Sequence, residues 1–71
     1  MYNETWHPIT KETLNWALEN KSYSEEEREI IIRAVEKANL NKERHVVIDL
    51  PSGEYLIFDN GILVGSRADA I

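Results

Sequence analysis

The chain reads as an α+β domain of order ααβββ, two N-terminal helices packed on one face of a three-stranded antiparallel β-meander. Three observations predict it. Two apolar stripes recur at helical spacing, each directly after a residue suited to capping a helix. Three short runs rich in Val, Ile, Leu and aromatics follow: His45–Leu50, Glu54–Asp59 and Ile62–Val64. Pro51-Ser52-Gly53 and Asn60-Gly61 separate these runs, and both are hairpin turn sequences.

Seventy-one residues suit a single domain, near the size where one core is only just sufficient. It divides into an N-terminal arm (1–9), two helices (10–41), a meander (44–66) and a tail (67–71), and the polar stretch from Ser66 to Ile71 is expected to fray. The arm carries Tyr2, Trp6 and His7-Pro8, and the proline restrains His7 to an extended conformation. Thr10 then suits an N-cap, with Ile9 before it placed to staple onto Leu14. Leu14, Ala17 and Leu18 share one stripe of a helix running to about Asn20, and Trp16 points away from them.

A second start signal is the capping-box pair Ser24 and Glu27, with Glu25 and Glu26 favourably placed against the helix dipole. Ile30, Ile31, Ala34, Val35 and Ala38 form a broad stripe with Ile32 at its margin. The helix is expected to end near Asn39 or Asn41, because asparagine tolerates the left-handed conformation found there. In the meander, Leu50-Pro51-Ser52-Gly53 predicts a type I turn followed by a glycine bulge, and Asn60-Gly61 a type I′ turn.

That register puts Val46, Ile48, Leu50, Leu56, Phe58 and Leu63 on one face and Val47, Asp49, Tyr55, Ile57, Asp59, Ile62 and Val64 on the other. The first face is assigned to the helices. The second is apolar at five positions, an area of about 300–600 Å² that would match the largest patch of a typical monomer. It is covered by the arm folding back with Trp6 and Tyr2, by one of the helices, or by a partner. The last strand is expected to be a sheet edge with no charge before Arg67, open to strand addition.

Composition narrows the function classes. Thirteen acidic residues against eight basic give a net charge of −5, which repels phosphate backbones and disfavours direct nucleic-acid binding. No cysteine is present, as suits a reducing compartment. No leader or membrane-length apolar run is visible, so the expectation is a cytoplasmic protein with no membrane role. Asn3-Glu4-Thr5 and Asn20-Lys21-Ser22 match glycosylation sequons by chance on that reading.

Catalytic and cofactor chemistry finds no foothold. Ser24 and Ser52 have capping and turn roles, and no nucleophile signature surrounds any serine. His45 and Asp49 share a face, but their Cα atoms lie roughly 13 Å apart along a strand, too far for one metal ion. The expectation is no enzyme, no cofactor and no metal.

What remains is a small acidic interaction module that binds and occludes a partner protein, as an inhibitor or adaptor. In size and charge alone it is similar to phage-encoded inhibitors of host defence or host enzymes. The candidate partner-binding residues are Trp16, Val47, Tyr55, Ile57, Ile62 and Val64. Glu25, Glu26 and Glu29 form a candidate acidic surface for a partner with a basic face. A second copy of the chain, docked through the sheet, is the other occupant considered. The alternative function is a transcriptional regulator with a winged-helix-like hairpin, against which stand the four glutamates that open the second helix.

Overall fold

The structure, a computed structural model, describes residues 5–67. Its elements are α1 (Lys11–Glu19), α2 (Glu25–Leu40), β1 (His45–Asp49), β2 (Tyr55–Asp59) and β3 (Ile62–Arg67). The strands form one antiparallel sheet in the order β1-β2-β3, the expected meander. Tyr2 and the tail from residue 68 onward lie outside the described residues.

Both helices start where the caps dictate. Thr10 is extended and its hydroxyl accepts from the Thr13 N–H, while Ser24 Oγ accepts from the Glu27 N–H at 3.2 Å. Each bond satisfies a donor that the first helical turn leaves without an internal partner. Helix α2 ends at Leu40 with Asn41 as its C-cap, as expected, but the left-handed residue is not an asparagine. Asn41 has φ −90°, and Lys42 takes the left-handed position at φ 54°. The Glu43 N–H reaches Ala38 O at 2.8 Å and the Lys42 N–H reaches Asn39 O at 3.2 Å, the two bonds of a Schellman termination.

The turns follow the sequence closely. Gly53 N–H donates to Leu50 O at 2.9 Å and Gly53 has φ 95°, a type I turn closed by a left-handed glycine. Asn60 and Gly61 both have positive φ, 52° and 87°, as a type I′ turn requires. Val46 then pairs with Phe58, Ile48 with Leu56, and Phe58 with Leu63. The register slips between Ile57 and Phe58, so that Val64 and Gly65 together oppose Ile57 as a bulge. Glycine inside a strand often marks such a site.

One core results. Ala17, Leu18, Ile31, Val35 and Ala38 from the helices bury against Val46, Ile48, Leu50, Leu56 and Phe58, with Ile9 of the arm completing the cluster. Phe58, Ile31 and Leu56 are fully enclosed, each contributing about 1.5–3 kcal/mol of burial. Lying side by side on this one face, α2 packs along β1 and α1 along β3. The arrangement with one helix on each face is therefore overturned. Both stripes need the same deep apolar floor, and only the Leu56–Phe58 face is continuous enough to fill it.

The described arm residues, 5–9, are tied to one end of the sheet. Their backbone is held by two asparagine side chains. Asn39 Oδ1 accepts from the Ile9 N–H at 2.9 Å and its Nδ2 donates to Ile9 O at 3.0 Å. Asn60 Oδ1 accepts from the His7 N–H at 2.8 Å and its Nδ2 donates to Thr5 O at 3.1 Å. Trp6 Nε1 donates to Glu43 O at 3.2 Å. These bonds draw the arm across the sheet end formed by the α2–β1 loop and the β2–β3 turn. Trp6 is thereby anchored at the α2–β1 loop, and Val47, Ile62 and Val64 stay exposed.

Candidate protein interface

Sheet pleating fixes the outer surface. Residues alternating with the core positions must face away from the helices, and along β1 the pattern is strict: Val46 and Ile48 are buried, His45, Val47 and Asp49 exposed. Val47 opposes Ile57, and Asp49 opposes Tyr55. On β3, Ile62 and Val64 point the same way. Val47 is 50 % exposed, Ile62 63 % and Val64 58 %, while Tyr55 and Ile57 are half-buried. Ile57 reaches toward Gly65, where an added Cβ would sit 3.9 Å from its Cδ1. The five predicted residues thus share one face, with no described helix over it.

The edge of β3 is an outer edge of the sheet, as expected, but not a bare one. The bulge at Val64–Gly65 interrupts regular pairing, a device that discourages strand addition. The regular segment is confined to Ile62–Leu63 at the start and Ser66–Arg67 at the end.

Trp16 sits apart from the sheet face, on α1, and is 56 % exposed. It lines a groove with Glu12, Thr13, Gly61, Ile62 and Leu63. Because Ile62 faces outward and Leu63 faces the core, this groove wraps the start of β3 and joins Trp16 to the apolar face. Sequence reading singled out Trp16 but missed Glu12 as its companion. The signal was present in the spacing, since residues four apart on a helix are surface neighbours.

Glu25, Glu26 and Glu29 are exposed at the start of α2, around a shallow depression that Arg28 and Ile32 also line. Arg33 approaches Glu29 at 3.8 Å, with both side chains largely exposed. Such a pair contributes at most about 1 kcal/mol. The acidic surface belongs to the helix layer, and the apolar face to the opposite side of the sheet.

Elsewhere, Lys21 Nζ lies 2.7 Å from Glu54 Oε2, tying the α1–α2 connection to the β1–β2 turn. The same ammonium stands 5.8 Å from the centre of the Tyr23 ring. Burial pushes the Tyr23 hydroxyl above its ordinary pKa, against the lowering effect of Lys21, with Glu54 and Glu27 adding to the rise. Among the described residues no group of three His, Asp or Glu side chains could hold a metal ion, and no helix is long and apolar enough to cross a membrane.

No protein-family model matches the chain, and no curated protein or solved structure matches it either.

Proposed function

We propose that this chain is a non-enzymatic protein-interaction module that binds a partner protein and occludes its surface, as an inhibitor or adaptor. One observation carries the reading: Val47, Ile62 and Val64 are each at least half exposed on a single sheet face with Tyr55 and Ile57. Contiguous apolar surface on a small domain favours burial against another molecule. Trp16 borders this face across the β3 edge, and exposed tryptophan is a frequent binding anchor. The acidic start of α2 adds a preference for a basic partner. A chain without cysteine suits action in a reducing cytoplasm.

The test is affinity capture from the source cell's lysate by the wild-type chain and by a Val47→Asp/Val64→Asp variant. Both sites are solvent-exposed, so the fold should persist by circular dichroism. A protein retained by the wild type and lost by the folded variant supports the role. Equal retention overturns the face as the binding surface. Sedimentation velocity over a wide concentration range separates the two occupants: a dimer assigns the face to a second copy, and a persistent monomer leaves it for another protein.

A further inference from the structure

The groove beside Trp16 carries a chemistry that the rest of the apolar surface lacks. Glu12 and Trp16 stand four residues apart on α1, about one helical turn, so carboxylate and indole share one side of the helix. Both are exposed. Ile62 and Leu63 form an apolar wall at the start of β3, and Gly61 leaves the end of the groove without a side chain. Glu12 is the only charged residue among the six that line it.

We infer that this groove receives an arginine side chain from a basic partner protein. The indole face attracts a cation, the carboxylate accepts its N–H donors, and the apolar wall packs against the hydrocarbon stem. Arginine satisfies all three because its planar guanidinium stacks and pairs at once, which an ammonium does less well. A purely apolar side chain would instead shed water from the Glu12 carboxylate without giving it a partner. The net charge of −5 favours approach of a basic partner at long range. This inference rests on the proposed interaction role and adds the partner's chemistry.

The experiment titrates the full chain at low salt with the blocked tripeptide Gly-Arg-Gly, following the Trp16 indole N–H by NMR. Trp6, whose Nε1 is engaged by Glu43 O, is the internal reference. Matched peptides carry citrulline, a neutral near-isostere, or norleucine in place of arginine. The expected result is a saturable movement of the Trp16 resonance with the arginine peptide, with Trp6 still. Citrulline and Glu12→Gln should each weaken binding about threefold to fivefold, the scale of one exposed cation–π or ion-pair contact. Rising salt should weaken it further.

Equal binding of the norleucine peptide would overturn the assignment in favour of an apolar side chain. Movement of Trp16 with protein concentration alone would overturn it in favour of a second copy. No movement with any peptide would also overturn it. The last result beside a capture lost in Val47→Asp/Val64→Asp would leave the interaction role standing and remove only the arginine. Arginine binding beside equal capture by Val47→Asp/Val64→Asp would keep the groove's assignment and remove only the outer sheet face as the partner's surface.

Discussion

The backbone carbonyl of Pro8 occupies the space that a side chain at residue 61 would need: a Cβ built on Gly61 would come within 2.7 Å of Pro8 O and 3.1 Å of His7 O. Two constraints therefore meet at one residue. The type I′ turn demands positive φ, here 87°, and the arm demands the absence of a side chain. Gly61→Ala should cost about 2 kcal/mol, from left-handed strain plus displacement of the arm. Chemical denaturation reads the loss. Faster hydrogen exchange at the His7 amide should show that the arm has shifted.

Gly65, four residues later, should respond oppositely. It has no positive φ, and an added Cβ would meet only the Ile57 Cδ1 at 3.9 Å, an ordinary contact. Gly65→Ala should be neutral or stabilise by up to about 0.5 kcal/mol, by reducing the freedom of the unfolded chain. Parallel melts of the two alanine variants make the comparison direct.

Lys42 carries a strain that glycine would relieve. It holds the left-handed position that ends α2, at φ 54°, where a Cβ is unfavourable. Lys42→Gly should stabilise the fold by about 0.5–1 kcal/mol after the greater unfolded-state entropy of glycine is subtracted. A rise in the urea midpoint without a change in slope is the expected signature.

The Asn60 clamp can be separated from the turn that carries it. Asn60→Gly keeps a residue that accepts positive φ but removes both bonds to the arm, at His7 N–H and Thr5 O. The hairpin should persist while the His7 amide exchanges freely. Asn39→Ala should cost more, about 1–3 kcal/mol, because Ile9 is buried and its backbone N–H and carbonyl would both lose their partner. Exchange of the Ile9 amide measures that loss.

Alkaline stability should depend on Tyr23. Burial raises its pKa in the fold, ahead of the opposing effect of Lys21, so the native state disfavours the phenolate. The stabilisation is then whole below the ordinary value of 10.0 and is lost as pH climbs through the raised folded value. Tyr23→Phe should flatten this part of the stability–pH curve, read by denaturation at stepped alkaline pH.

Much of the candidate interface was legible because its placement is local. Once the turns at Pro51-Ser52-Gly53 and Asn60-Gly61 set the register, strand alternation put Val47, Ile57, Ile62 and Val64 on the face opposite Phe58. The bulge was less visible, although a glycine within an apolar strand, here Gly65, often marks one. The pairing of Glu12 with Trp16 gains meaning only because β3 brings Ile62 and Leu63 alongside α1.

By itself the sequence determined the two capped helices, the two hairpin turns and the division of the strands into a core face and an outer face. Each depends on residues within a few positions of one another, where capping, turn dihedrals and side-chain period act without knowledge of the rest of the chain. Tertiary structure alone decided that Asn39 and Asn60 hold the arm and that Trp16 joins the apolar surface. Asn39 and Ile9 are 30 residues apart and Asn60 and His7 53 apart, and a side-chain amide fits any exposed backbone N–H and carbonyl suitably spaced. Which ones it meets is settled by packing, because only the folded core brings those segments together.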